Sequence, residues 1–137
     1  MRKMTIHHSS QILIVDDSGA VRSVVRRLLT QLGFKNVDEA SDGEVALTKI
    51  SEKYFDLVIS DWNMEPMSGQ VLLEQVRANK TYANLSFMMM TADSTMDKIV
   101  QAKHAGVSCF INKPFSADGL QAKILQINTE YRPAATG

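Results

Sequence analysis

The sequence predicts an α/β fold in which a doubly wound, five-stranded parallel sheet carries helices on both faces. Five short apolar runs alternate along the chain with segments whose apolar residues recur every three or four positions. Three of the runs are almost continuously apolar, which is typical of strands that helices cover on both sides. The resulting order is βαβαβαβαβα, and right-handed crossovers then favour one open sheet.

The strands are predicted where the apolar runs occur, because the runs have the length of ordinary strands. In chain order they are Ile12–Val15, Val37–Ala40, Leu57–Ser60, Ser86–Met90 and Cys109–Asn112. The only cysteine, Cys109, cannot form an internal disulfide, and we expect it to be a small buried hydrophobic residue.

Helices are predicted between the strands. The clearest extends from Val21 to Leu32, after a candidate N-cap at Ser18 and before Gly33, which suits a helix end. Its three arginines are expected to form a solvated face or a local basic patch for an anionic partner. These arginines are Arg22, Arg26 and Arg27.

Four further helices are predicted from apolar stripes of the same spacing. They are Val45–Ile50 after Asp42, Val71–Val76 after Ser68, Met96–Val100, and Leu120–Ile127 after Ser116.

One domain is predicted over residues 11–129, with an N-terminal extension over residues 1–10 and a C-terminal tail over residues 130–137. A chain of 137 residues can bury a single core without disulfides or a structural metal. No apolar run approaches the roughly 20 residues that cross a bilayer, and the N-terminus lacks the apolar stretch of a secretory signal. We therefore expect a cytoplasmic protein that does not insert into membranes.

The charge balance makes direct DNA binding unexpected. Lysines and arginines total 15, and aspartates and glutamates also total 15, so the chain has no general positive field for a nucleic acid or an anionic membrane.

Polar residues follow four of the predicted strands. Asp16 and Asp17 follow the first, Asp61 the third, Thr91 the fourth, and Lys113 comes just after the fifth. Ligands of open parallel sheets bind outside the carboxyl ends of the strands, so these side chains are predicted to share one site. Alone, Asp16 or Asp17 could equally be a helix N-cap, and Lys113 a solvated charge. Their coincidence at four strand ends favours the shared site.

The predicted site suits Mg²⁺. Three clustered carboxylates remain ionised only when a cation compensates their charge. Mg²⁺ prefers oxygen ligands, and no Cys or His lies near these positions in the sequence to favour zinc. Lys113 would add a second positive charge, able to pair with a carboxylate and later with a phosphoryl oxygen.

The motifs resemble those of the response-regulator receiver family, especially its chemotaxis-type, single-domain (CheY-like) members. ILIVDDS resembles the family's first-strand acidic pair, DWNMEPMSG its phosphoacceptor loop, MMTAD its fourth-strand Ser/Thr, and FINKPF its fifth-strand Lys-Pro. Separations of 44 residues from Asp17 to Asp61, 30 from Asp61 to Thr91 and 52 from Asp61 to Lys113 also match. The resemblance spans nearly the whole chain, from residue 11 to about residue 128, and implies a (βα)5, flavodoxin-like receiver fold with strand order 2-1-3-4-5.

The resemblance implies a stand-alone two-component response regulator that switches protein-partner binding. Asp61 would accept a phosphoryl group from a histidine kinase or histidine phosphotransferase. The chain would be a signalling switch rather than an enzyme, assisting only its own Mg²⁺-dependent phosphorylation and autodephosphorylation. Thr91 would hydrogen-bond the phosphoryl group, Lys113 would pair with one of its oxygens, and Phe110 would be the aromatic switch residue. The output face would comprise the fourth helix, fifth strand and fifth helix.

The resemblance also implies the ligands of the metal. Asp17, Asp61 and the backbone carbonyl of Asn63 would bind Mg²⁺ directly, and Asp16 would help through water.

The sequence departs from the common family pattern at three places. Glu65 occupies a position where many members have Pro, and Pro66 follows it. Ser68 replaces the usual Asp before Gly69, as an expected equivalent N-cap. Phe110 occupies a position where chemotaxis-type members usually have Tyr. The sequence pattern alone favours an ordinary core aromatic there, and the resemblance favours the switch residue instead.

Two other functions remain open from the sequence. Haloacid-dehalogenase-type phosphatases also use a strand-end Asp with Mg²⁺, but their motif is Asp-x-Asp, whereas Asp16 and Asp17 are adjacent. The second is a receiver-like module that no longer accepts phosphate. Such a module would not need all five site residues, and their presence here argues against it: Asp16, Asp17, Asp61, Thr91 and Lys113. Within the preferred interpretation, the partner is either a flagellar-motor component or the kinases and phosphotransferases that use the domain as a phosphate shuttle or sink.

Overall fold

A computed structural model describes residues 6–92 and 95–129 of the chain. The strands are β1 Gln11–Val15, β2 Asn36–Ala40, β3 Leu57–Asp61, β4 Ser86–Thr91 and β5 Cys109–Asn112. The helices are α1 Gly19–Gln31, α2 Gly43–Glu52, α3 Gly69–Ala78, α4 Met96–Ala105 and α5 Ala117–Thr129, with a short 3₁₀ turn at Lys80–Tyr82.

The predicted fold class is confirmed. All strand pairs are parallel, and the sheet has the order β2-β1-β3-β4-β5 that the resemblance implies. The predicted C-terminal tail and residues 1–5 of the predicted extension lie outside the described residues. Within that extension, Ile6 and Ser10 are buried, and Ile6 exchanges two hydrogen bonds with the Asn128 side chain, of 2.7 and 2.9 Å.

Helix starts follow the predicted caps. The side-chain oxygens of Ser18, Asp42 and Ser68 each accept a hydrogen bond from the backbone N–H three residues later. Because Ser18 caps α1, neither Asp16 nor Asp17 is used as its N-cap, and that alternative is excluded.

The core lies on both faces of the sheet, because successive strand residues point to opposite sides. Leu13, Val58 and Met89 belong to the side covered by α2, α3 and α4. Ile14 and Met90 belong to the side covered by α1 and α5. Cys109 is buried, as predicted. None of the helices among the described residues is long and apolar enough to cross a membrane.

Of the three arginines expected to form a solvated face, only Arg22 departs from the expectation, with a side chain that is 21% exposed against 44% for Arg26. Arg22 and Arg26 of α1 both pair with Glu39 of β2, at 2.9 and 2.6 Å. Arg27 is exposed. The sequence could not predict this contact, because β2 reaches α1 only after the sheet has formed.

Candidate functional site

The site lies at the carboxyl edge of the sheet, where backbone hydrogen bonds continue beyond the ends of the strands. The N–H of Asp16 donates to the Ala40 carbonyl at 3.2 Å, and that of Lys113 donates to the Thr91 carbonyl at 2.8 Å. Asp61 and Thr91 are the last residues of β3 and β4 rather than the first residues after them. The hydrogen-bonded ladder therefore extends one residue further than predicted and places these two side chains on rigid backbone.

Three carboxylates meet at this edge. Asp16, Asp17 and Asp61 each offer a carboxylate oxygen, and these oxygens all lie within 4.8 Å of one another. Asp16 and Asp61 are buried, whereas Asp17 is exposed. The side chain of Asp16 also accepts a hydrogen bond from the Ser18 N–H at 2.8 Å. An oxygen-only donor set with one solvent-facing member fits a Mg²⁺ ion that keeps part of its water shell.

Lys113 connects two of these carboxylates. Its ammonium lies 3.1 Å from Asp16 Oδ2 and 3.0 Å from Asp61 Oδ1. The predicted pairing of this lysine with carboxylates in the resting protein is therefore present in the structure.

Burial raises the pKa of the Asp61 carboxyl above its ordinary value, and the charges of Asp16 and Asp17 add to that increase. The Lys113 ammonium opposes the increase without cancelling it. Burial by itself would lower the pKa of Lys113, but the hydrogen bond and charge of Asp61, together with those of Asp16, raise it overall. The lysine therefore stays charged at neutral pH, and the site favours added positive charge beside Asp61.

The aromatic residue Phe110 contacts the residue that follows Asp61. Its half-buried ring stacks on the ring of Trp62, with centroids 6.5 Å apart and planes 13° from parallel. The ammonium of Lys98, on α4, lies 5.4 Å from the Trp62 ring centroid. A stack of side chains thus connects the end of β3 to β5 and α4, and no pattern in the sequence indicates it.

Gly69 lies against the candidate site, although no motif in the sequence marks it as a site residue. Its N–H donates to the Trp62 carbonyl at 2.8 Å, and a Cβ at this position would fall on the backbone carbonyl oxygen of Asp61. The start of α3 therefore lies directly against the backbone of the candidate phosphoacceptor. The only sequence signal is a glycine that follows the N-cap Ser68, which is too common to identify such a contact.

The loop after β3 contains the other predicted residues. Asn63, Glu65 and Pro66 are exposed, and the Glu65–Pro66 peptide bond is cis. Ser68 is the N-cap of α3, as predicted. Thr91 is buried at the end of β4.

Comparisons with known proteins agree with this geometry. The family described as "Response regulator receiver domain" matches residues 12–125. Chemotaxis protein CheY-3 of Vibrio cholerae serotype O1 is 41% identical over 122 residues, covering 89% of this chain and 94% of that protein. Chemotaxis protein CheY of Pseudomonas aeruginosa is 43% identical over 117 residues, covering 85% of this chain and 94% of that protein.

Among solved structures, the chemotaxis protein CheY4 of Vibrio cholerae superposes with a TM-score of 0.82 at 31% identity, covering 87% of this chain and 98% of that one. The family match covers most of the chain, and the curated relatives are matched over nearly their whole length. On these matches, together with the strand order and the acidic edge of the sheet, the chain belongs to the response regulator receiver domain family and resembles its CheY chemotaxis members.

Proposed function

We propose that this chain is a cytoplasmic phosphorylation switch, in which Asp61 accepts a phosphoryl group from a histidine kinase or histidine phosphotransferase and binding to a protein partner changes as a result. The observation that carries the proposal is the placement of Asp61 beside two further carboxylates and 3.0 Å from the Lys113 ammonium. Phosphoryl transfer depends mainly on in-line placement and charge neutralisation, and the Lys113 ammonium supplies part of the neutralising charge beside Asp61.

In the transfer step, a carboxylate oxygen of Asp61 forms a bond to phosphorus as the bond from phosphorus to the donor's nitrogen breaks. Asp17, Asp61 and the backbone carbonyl of Asn63 would hold Mg²⁺ directly, and Asp16 would hold it through water. When bound, Mg²⁺ supplies the positive charge that lets a phosphoryl group approach an ionised carboxylate. Lys113 then exchanges part of its pairing with Asp61 for a phosphoryl oxygen.

The proposed switch uses Thr91 and Phe110. A phosphoryl group on Asp61 adds acceptor oxygens that draw the Thr91 hydroxyl toward it. The space vacated behind Thr91 lets the Phe110 ring move from its position against Trp62. The face formed by α4, β5 and α5 changes when that ring moves. Met96 and Val100 on α4 are exposed and provide apolar contacts for a partner protein on this face.

A turnover experiment separates this switch from the phosphatase alternative. Incubation with acetyl phosphate and Mg²⁺ should give one acid-labile phosphate per chain, located on Asp61 by mass spectrometry after borohydride reduction. Sustained, multiple-turnover hydrolysis of small phosphate esters such as p-nitrophenyl phosphate would instead favour a phosphatase.

The single tryptophan should report metal binding. Trp62 directly follows Asp61 and is buried, so its fluorescence is expected to change with millimolar Mg²⁺. In Asp17→Ala the response should shift to higher Mg²⁺ concentrations, because one direct ligand is missing. Asp118→Ala, which removes an exposed aspartate in the first turn of α5, should titrate like the wild type. Superimposable curves for the wild type and Asp17→Ala would count against Asp17 as a ligand.

Lys113→Arg should not preserve normal switching, although the charge is kept. A guanidinium is a planar fork, whereas this site uses a compact ammonium that reaches two carboxylates at about the same distance. We expect the variant to retain similar sets of proteins from a cell extract with and without beryllofluoride, a mimic of the phosphoryl group. The wild type and Lys35→Arg, an exposed control, should retain different sets in the two conditions. A wild-type response by Lys113→Arg would show that donor geometry is unimportant.

A further inference from the structure

Arg22 contacts the loop that carries Asp16 and Asp17, whereas Arg26, on the same helix, does not. Its Nη1 donates to the backbone carbonyl oxygen of Asp16 at 2.7 Å, and its Nε donates to Glu39 Oε1 at 2.9 Å. Arg26 uses its Nε on the other Glu39 oxygen, at 2.6 Å. One guanidinium therefore joins β2 to the loop that carries two of the three clustered carboxylates.

Glu39 provides a fixed and ionised anchor for this guanidinium. It is paired in the sheet with Ile14 of β1, two residues before Asp16. Hydrogen bonds and charge from Arg26 and Arg22 outweigh the opposing effect of burial and hold the pKa of Glu39 below its ordinary value. The Arg22 side chain is 21% exposed, so it is largely removed from competing water.

We propose that Arg22 is a positioning residue for the Mg²⁺ site, because it holds the peptide group between Asp16 and Asp17. The peptide group is planar, so a hydrogen bond that fixes the Asp16 carbonyl also fixes the direction in which the chain continues to Asp17. On its other side, Asp16 is already held by its N–H bond to the Ala40 carbonyl, at 3.2 Å. Arg22 holds the other end of Asp16, where the chain continues to the exposed carboxylate of Asp17.

This inference rests on the proposed function, since it concerns the same metal site. Groups that orient the ligands of a metal typically change its affinity by 10- to 100-fold when they are removed. Charge acts in the opposite direction, because a guanidinium repels a nearby cation. A purely electrostatic role predicts tighter Mg²⁺ binding when Arg22 is neutralised, whereas positioning predicts weaker binding. The sign of the change therefore separates the two roles.

The test compares Arg22→Gln with Arg26→Gln, because each variant removes one arginine from Glu39 and only the first loses the bond to Asp16. Mg²⁺ affinity is measured by Trp62 fluorescence and by the rise in unfolding temperature with Mg²⁺. Unfolding without Mg²⁺ checks that both variants fold. We expect Arg22→Gln to bind Mg²⁺ about tenfold more weakly than the wild type, and Arg26→Gln to differ by less than about twofold, as for a surface ion pair.

A third variant, Arg22→Lys, keeps the charge but cannot reach Glu39 and the Asp16 carbonyl with separate nitrogens. It should bind Mg²⁺ more weakly than Arg26→Gln does. Equal or tighter binding by Arg22→Gln, equal weakening in both glutamine variants, or full affinity in Arg22→Lys would each overturn the inference while leaving the proposed function intact. A wild-type protein that shows no Mg²⁺ response by either measurement would overturn the proposed metal site and this inference together.

Discussion

Asp61→Asn is expected to abolish phosphorylation by acetyl phosphate. A carboxamide is a poor nucleophile and a weaker Mg²⁺ ligand than a carboxylate, so both the acceptor and part of the cation site are removed. Acid-labile phosphate per chain, measured after incubation with Mg²⁺, should fall from near stoichiometric to background. Asp118→Asn, an exposed control in α5, should be phosphorylated like the wild type. Stoichiometric acid-labile phosphate on the Asp61→Asn variant would contradict the assignment of the phosphoacceptor.

The same variant should remain folded. Burial raises the pKa of Asp61 in the folded protein, and the neighbouring carboxylates raise it further, so ionised Asp61 lowers the stability of the native state. Stability is therefore lost as the pH rises from the ordinary carboxyl pKa through the raised value. Without Mg²⁺ at neutral pH, Asp61→Asn should unfold at the same or a higher temperature than the wild type. Any gain should shrink as the pH falls through the raised pKa of Asp61 and should be absent below the ordinary pKa of aspartate.

Gly69→Ala should be strongly destabilising although it adds one methyl group. The new Cβ would collide with the Asp61 carbonyl oxygen and lie 2.9 Å from the Met89 sulfur, so either α3 or the end of β3 must shift. Overpacking of this kind costs about 3 kcal/mol when rigid backbone is involved. Urea unfolding measures that loss, and acetyl phosphate labelling should also slow because Asp61 is displaced.

Gly19→Ala is the matched control, because Gly19 and Gly69 are each the first residue of a helix after a serine N-cap. A Cβ at Gly19 would meet only the end of the Arg22 side chain, at 3.5 Å. Alanine there should be neutral or stabilising by about 0.5 kcal/mol, because it restricts the unfolded chain. If the two alanine variants had equal stability, the close approach of α3 to Asp61 would be wrong.

Local signals in the sequence were sufficient for most of the fold. Each predicted strand lies within an observed strand. For β1, β3 and β4 the reason is that their apolar runs reflect burial on both faces of the sheet. The capping serines and Asp42 marked helix starts correctly, because a cap bonds to a backbone N–H only three residues away. The expectation that polar residues at the strand ends lie together was also correct for Asp16, Asp17, Asp61 and Lys113, because the carboxyl ends of parallel strands share one edge of the sheet.

By itself, then, the sequence determined the fold class, the helix starts and the group of residues at the acidic edge. All of these follow from periodicity, local hydrogen bonding and chain direction. Only the tertiary structure decided the stacking of Phe110 on Trp62, the closeness of Gly69 to the Asp61 carbonyl and the joint contact of Arg22 with Glu39 and Asp16. Each of these depends on distances of a few ångströms between elements separated in the chain. Such distances are set by how helices pack on a twisted sheet, which no local pattern of residues records.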